Sequence, residues 1–260
     1  MSIVRDHQPL IHCMTNAVVT NFTANGLLAV GASPVMAYAI DETHEMATAA
    51  DALLLNIGTP SETVVASMIH AGQAANKKGI PVILDPVGVG ATTFRNQIVA
   101  RILEEVNISL VRGNAGEIAA VLGEAGTVKG VDTNIKTDPI ALAKKAAAQL
   151  QTVVVVTGEK DVVTNGKQIV QVSNGHEWLT RVVGTGCLLG GVLAAYLAVN
   201  GKDFVNAAAN GLAFYGVAAE RAYAKANEHG VASFQMEFLN ELSMIKEEEA
   251  EPFYRIEWLS

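Results

Sequence analysis

The chain has 260 residues, half of them apolar and 5% aromatic, with a formal net charge of −8 at pH 7. That length supports a large core, in one α/β domain or two small ones, and the acidity without a basic stripe excludes general nucleic-acid binding, though not a local cationic site for a nucleotide. The two cysteines, Cys13 and Cys187, make no disulfide framework, and the N-terminus lacks an apolar signal core, so a cytoplasmic chain with free thiols is expected.

Short β-branched runs alternate with longer helical stretches. Residues 52–58 read as a buried strand, and Thr59-Pro60-Ser61-Glu62 as a capping box with Pro60 at the first helical position of a helix reaching Lys78-Gly79. A strand over 81–85, a helix over 94–106, a strand over 108–111 and a helix from Ala115 follow. Asp138-Pro139 caps a helix ending near Gln151, and residues 153–156 are the clearest buried strand. Uninterrupted apolar runs suit parallel strands covered on both faces, so strand–helix alternation predicts one doubly wound sheet. Two short strands then flank Asn165-Gly166, a type I′ hairpin signal. The last third reads as helix to about Lys246, with an acidic run and a tail over 252–260 that could pack or fray. No linker or repeat divides the chain, so a single domain over 1–260 is expected. Residues 182–199 carry no charge, but the glycine turn within them leaves a helix of about a dozen residues, more typical of a buried core than of a membrane span.

In an open α/β sheet, ligands gather beyond the carboxyl ends of the strands. Val183-Gly184-Thr185-Gly186-Cys187 opens into an apolar helix, a junction that suits either a phosphate or close packing. Cys187 falls in the first helical turn, where a thiol pKa tends to drop. Asp85, before a glycine-rich stretch, reads as a turn cap or as a Mg²⁺-linked carboxylate. Arg112 could contact phosphate. Asn114 and Glu117 have capping-box spacing, and the same spacing could place a carboxylate beside hydrated Mg²⁺. Thr157 ends a strand before Gly158. Met36 could line an apolar pocket or fill core, and His12 reads as structural. The histidines show no metal spacing. Cys187 with a distant His would also fit a nucleophilic thiol, but no thiol-protease signature surrounds it.

The segments 21–26, 31–36, 85–92, Arg112-Gly113-Asn114 with Glu117, Thr157-Gly158-Glu159 and Gly184-Thr185-Gly186-Cys187, in this order and spacing, resemble the hydroxyethylthiazole kinase family of the ribokinase-like superfamily. The resemblance spans nearly the whole chain. It implies a three-layer α/β/α fold with a mainly parallel sheet and no separate lid domain. It implies ATP- and Mg²⁺-dependent phosphorylation of the alcohol of 4-methyl-5-(2-hydroxyethyl)thiazole, for thiamine synthesis or salvage, in a homotrimer with active sites at subunit interfaces. By the same resemblance Arg112 and Thr157, with Asn114 and Gly186, bind the nucleotide. Met36 and Gly184, with Asn16 and Cys13, contact the thiazole, and Asp85 and Glu117 position Mg²⁺. Cys187, with Gly184 and Gly186, would form the catalytic turn. Cys187 stands where many ribokinase-like enzymes carry an Asp base, and Gly116 stands where a Ser would be expected. Three rivals remain: a kinase of a pyrimidine alcohol or sugar, an ADP- or ATP-dependent hydratase-type repair enzyme, and a silent nucleotide-binding protein.

Overall fold

Apolar strands flanked by helices assemble here into a nine-stranded sheet with helices on both faces. The computed structural model describes residues 3–124 and 138–259. In chain order the elements are α1 (Ile3–His7), β1 (Leu10–Met14), α2 (Thr20–Val30), β2 (Ser33–Val35), α3 (Ile40–Ala49), β3 (Ala52–Asn56), α4 (Glu62–Lys78), β4 (Val82–Asp85), α5 (Thr93–Glu105), β5 (Leu110–Asn114) and α6 (Ala115–Val121). The second part runs α7 (Pro139–Leu150), β6 (Val153–Thr157), β7 (Asp161–Thr164), β8 (Ile169–Val172), α8 (Thr185–Val199), α9 (Phe204–Ala226), α10 (Gly230–Met244), α11 (Glu247–Ala250) and β9 (Ile256–Leu259).

The strand order is β2-β1-β3-β4-β5-β6-β7-β8-β9. The first six strands are parallel and the last three antiparallel. Alternate strand residues feed two cores, as the period-2 geometry of a strand requires. Ile11, Leu54, Ile83 and Val155 pack with Leu27, Leu188, Leu212 and Phe234 of the α2, α8, α9 and α10 layer. Leu53, Leu55, Leu84 and Val154 pack with Met68, Ile102, Ile118 and Ala143 of the opposite layer. The expected three-layer, mainly parallel architecture is thus present.

Several local expectations need correction. The cap of α4 is Ser61, whose Oγ accepts from the Val64 N–H at 3.3 Å, so Pro60 lies before the helix. Thr59 caps nothing; its Oγ1 accepts from the Ala17 N–H. The β7–β8 connection is not a two-residue type I′ turn, because pairing resumes only at Thr164 and Ile169 and Asn165 has no positive φ. The Asn165 Oδ1 instead accepts from the N–H groups of Lys167 and Gln168, favouring a longer loop. The strand after α5 begins and ends later than expected, at Leu110–Asn114. The tail packs: β9 covers the β8 edge, and Arg255 donates to Glu220 and to the Ser173 carbonyl. Ser260 lies outside the described residues.

α8 is apolar all round and buried from Leu188 to Leu197, between the sheet and α2 and α9. Its approach to α2 explains Gly26: a Cβ there would fall 2.3 Å from Leu188 Cδ2. Gly26→Ala should therefore destabilise the fold by about 1–3 kcal/mol through overpacking. Chemical denaturation at constant m-value checks this, and a stability equal to or above the parent would refute the close-approach account.

Candidate active site

The carboxyl ends of β1 to β6 and the start of α8 converge. Asp85 and Asn56 end neighbouring strands in direct register, as do Asn114 and Thr157. Met36 directly follows β2, and Asn16 lies two residues beyond β1. Gly184, with φ +95°, is the N-cap of α8; this left-handed conformation suits glycine, and a Cβ there would also meet Val19 Cγ1 at 2.9 Å. The first N–H groups of α8, from Thr185 onward, have no partner within the helix and lie at its positive end. The turn is held from behind by Thr185 Oγ1, which donates to Leu179 O at 2.7 Å, and by the Tyr215 hydroxyl, which donates to Thr185 O at 2.7 Å.

A hydrogen-bonded chain crosses the strand ends below this turn. Asn16 Nδ2 donates to Cys187 Sγ at 3.4 Å and to Asn56 Oδ1 at 2.9 Å. Asn56 Nδ2 donates to Asp85 Oδ2 at 2.8 Å. Asp85 Oδ1 lies 3.6 Å from Arg112 Nη1, and Arg112 Nη2 donates to Thr157 Oγ1 at 3.2 Å. The guanidinium faces the helix start: a Cβ on Gly186 would lie 3.2 Å from both Nη atoms. Helix N-terminus and guanidinium thus present positive potential to the same small space, a binding geometry for a phosphate oxygen.

Charge is concentrated and poorly hydrated here. Asp85 is fully buried and Arg112 is 13% exposed. Burial raises the Asp85 carboxyl to about 7, against the opposing pull of Arg112. Asp85 Oδ1 has no hydrogen-bond partner. Burial also disfavours the charge on Arg112, but Asp85, Glu117 and Asp161 more than offset it. The Cys187 thiol is raised, first by burial and then by Asp85, so the pKa drop expected at a helix start does not occur. Desolvation and a neighbouring carboxylate outweigh the helix field.

Asn114 and Glu117 form the reciprocal capping box that their spacing suggests, with both bonds at 2.9 Å. The second Glu117 oxygen reaches across to the Gly88 N–H at 3.0 Å, linking α6 to the loop after β4. Both Glu117 oxygens therefore already accept one backbone proton each. Among the described residues, no group of three or more His, Cys, Asp or Glu could by itself hold a metal ion.

Cys13 is set apart from the other expected residues. It is fully buried in the core beneath α2 and α8, and burial pushes its thiol up to about 12, so it cannot touch a ligand. Met36 is half-buried at the edge of that core. His12 is buried, with Nε2 2.9 Å from the Ala37 carbonyl, consistent with its structural reading. Asn56 and Asp161 were not singled out from the sequence. Asn56 is the one polar residue closing an apolar strand, a signal available in the run 52–58. Asp161 Oδ1 accepts from the Gly158 N–H at 3.0 Å, which shapes the loop after Thr157.

Burial raises the Asp161 carboxyl from 3.8 to about 6, against the Gly158 bond and Arg112. Its folded value lies above its unfolded value, so the proton it holds stabilises the fold below about pH 4, and this is lost as pH rises through about 6. Asp161→Asn should remove that slope. Urea unfolding of both proteins between pH 4 and 7 should show the parent losing stability relative to the variant as pH rises; a pH-independent difference would refute the shift.

The chain has close counterparts among known proteins. The model of the family described as "HK: Hydroxyethylthiazole kinase family" matches residues 1–248. A protein of Shouchella clausii (strain KSM-K16) named hydroxyethylthiazole kinase is 64% identical over 257 residues, covering 99% of each chain. The structure of hydroxyethylthiazole kinase protein from Pyrococcus horikoshii OT3 superimposes with a TM-score of 0.89 at 40% identity, covering 100% of this chain and 98% of that one. A ribokinase-like superfamily protein from Enterococcus faecalis V583 has a TM-score of 0.63 at 12% identity over 90% of this chain and 86% of that one, a likeness of fold alone. With the sheet order, the strand-end network and the glycine turn in place, these matches show that the chain belongs to the hydroxyethylthiazole kinase family.

Proposed function

We propose that this protein transfers the γ-phosphoryl group of ATP to the primary alcohol of 4-methyl-5-(2-hydroxyethyl)thiazole, for thiamine synthesis or salvage. One observation carries the reading: the Gly184–Cys187 turn opens on the Arg112 guanidinium with no side chain between them. Transfer of a phosphoryl group proceeds through a loose transition state, so positioned positive charge supplies most of the catalysis. The N–H groups of Gly186 and Cys187 take the γ-phosphate oxygens, and Arg112 neutralises them, braced by Asp85 and Thr157. Thr157 and Gly158 border the nucleotide side, where Asn114 contributes by holding the start of α6. Met36 and Gly184 bound the thiazole side, with Asn16 beside Cys187.

The residues present fit Mg²⁺ carried in with the nucleotide. Such an ion uses one or two carboxylates and completes its shell with phosphates and water, and Asp85 offers a buried oxygen that accepts no hydrogen bond. Glu117, committed to two backbone N–H groups, acts through water. Bound there, Mg²⁺ would draw charge from the phosphate oxygens. Arg112 and the ion would together favour ionised Asp85. Cys187 stays a thiol near neutral pH and shapes the alcohol side, because its raised pKa makes it a poor proton acceptor.

Assembly as a homotrimer with sites between subunits is part of the proposal. Val18 and Val183, 69% and 71% exposed, flank the Gly184 turn, an apolar rim that a second copy would cover. Among the described residues no helix is long and apolar enough to cross a membrane.

A coupled ADP-release assay tests the reaction. The thiazole alcohol should be the preferred acceptor over pyrimidine and sugar alcohols and over hydrated nicotinamide nucleotide; preference for any of those would overturn the assignment. Cys187→Ser should remain within about tenfold of the parent. Gly186→Val, whose side chain enters the space before Arg112, should lose on the order of a hundredfold. Unchanged ATP affinity in Gly186→Val would refute the phosphate cradle. Sedimentation should give a trimer, and Val183→Asp should dissociate it; a monomeric parent would remove the shared-site element.

A further inference from the structure

Arg95 lies in α5 and belongs to none of the motif segments named above. It sits in the first turn of α5, and its own N–H donates to the Thr92 cap at 3.2 Å. Its guanidinium, part-buried, donates to three backbone carbonyls. Nη1 reaches Ile57 O at 2.7 Å and Val87 O at 2.6 Å, and Nη2 reaches Gly58 O at 2.8 Å. Ile57 and Gly58 follow β3, and Val87 follows β4, so one planar fork ties two adjacent strand-end loops.

The identity of the gripped peptides matters. The Ile57 carbonyl shares its peptide unit with the Gly58 N–H, which donates to Asn56 Oδ1 at 3.0 Å. The Val87 carbonyl shares its unit with the Gly88 N–H, which donates to Glu117 Oε1 at 3.0 Å. A cation at the oxygen end of a planar peptide fixes the plane and polarises the N–H at the other end. Arg95 therefore aims one N–H at the amide chain leading to Cys187 and another at the Glu117 carboxylate. Gly58 also backs Asn16 so closely that a Cβ would lie 2.5 Å from its Nδ2. Asn96, the next residue, extends the grip by accepting from the Gly90 N–H at 2.7 Å.

We propose that Arg95 is a positioning residue: through these two peptide units it holds the Asn16–Asn56 pair on the alcohol side in fixed register with Glu117 on the nucleotide side. It touches no reacting atom. The inference rests on the reading of the site given above. Lysine cannot replace it, because an ammonium point charge lacks the planar fork that spans two loops.

The test uses Arg95→Lys and Arg95→Ala in the full-length chain, with Glu117→Gln as a reference. In Arg95→Lys, kcat for the thiazole alcohol should fall about tenfold to a hundredfold while KM for ATP changes little, the pattern of lost alignment rather than lost binding. In the nucleotide-free chain, amide hydrogen exchange at Gly58 and Gly88 should quicken about tenfold, with helix amides in the core unchanged. Guanidinium ion at non-denaturing concentration should restore part of the Arg95→Ala rate. A parental kcat and parental exchange at both glycines in Arg95→Lys would overturn the proposal, whether or not Arg95→Ala folds. Impaired Glu117→Gln beside normal Arg95→Lys would sink this inference alone; parental activity in Glu117→Gln would instead remove the role given to Glu117.

Discussion

The site is organised around a carboxylate and a guanidinium that have almost no water to share. Asp85 is fully buried at the end of β4, and Arg112 reaches it from β5 at 3.6 Å. Each charge alone would be costly in this position, and leaving one partner of such a pair unmatched typically costs about 3–5 kcal/mol. The pair therefore dictates its neighbours. Asn56 must supply an N–H to one Asp85 oxygen, Thr157 must accept from Arg112, and the other Asp85 oxygen faces Arg112 at 3.6 Å without accepting a hydrogen bond. A structure built only for stability would have little reason to leave that oxygen without a hydrogen bond. That oxygen and the raised Asp85 pKa mark this end of the pair as the most strongly desolvated charge of the site.

The helix above the pair meets the complementary requirement. α8 carries no charged side chain and is buried on every side, so nothing on it competes for the partial positive charge at its first turn. Glycines let it descend onto the site: Gly186 admits the guanidinium, and Gly190 passes 3.1 Å from Leu54 Cδ1, measured from the Cβ position, directly beside Asp85. The low polarity around this turn makes each aligned dipole worth more than it would be in water. It also raises the Cys187 thiol, so the environment that suits an anion discourages a thiolate. Electrostatics thus favours phosphate positioning over thiol chemistry at the same turn.

Rigidity comes from crossing bonds rather than from any one loop. Glu117 links α6 to the loop after β4, Asp161 restrains the loop after β6, and Arg95 joins the loops after β3 and β4. Loops at strand ends are otherwise the mobile part of an α/β fold. Here their backbone N–H and C=O groups are tied to charged side chains, which restricts how far these loops can move. Much of the capping signal in the sequence serves this purpose: the Asn114–Glu117 box closes α6 and also fixes the position of a site carboxylate.

What the amino-acid order determined by itself was local and periodic. The apolar runs of β3, β4 and β6, the Asp138 and Asn114 caps, and the glycine turn before α8 are decided by side-chain type over a few residues, so they were legible. The order of the motif segments also carried the family, and the structure brings Asp85, Arg112, Thr157 and the Gly184–Cys187 turn together at the strand ends. Tertiary structure decided the rest. The polar residues of β1 and the brevity of β2 hid those strands, and β9 gains its identity only by pairing with β8. Cys13 and Asn16, three residues apart, part company because one points into a core and the other lies past the strand end. Asn56 and Arg95 acquire their roles from partners about 30 to 40 residues away in sequence, Asp85 for the one and the loop after β3 for the other. Burial, too, reversed the expected fall of the Cys187 pKa. Such effects depend on desolvation and on long-range contact, which no short window of sequence contains.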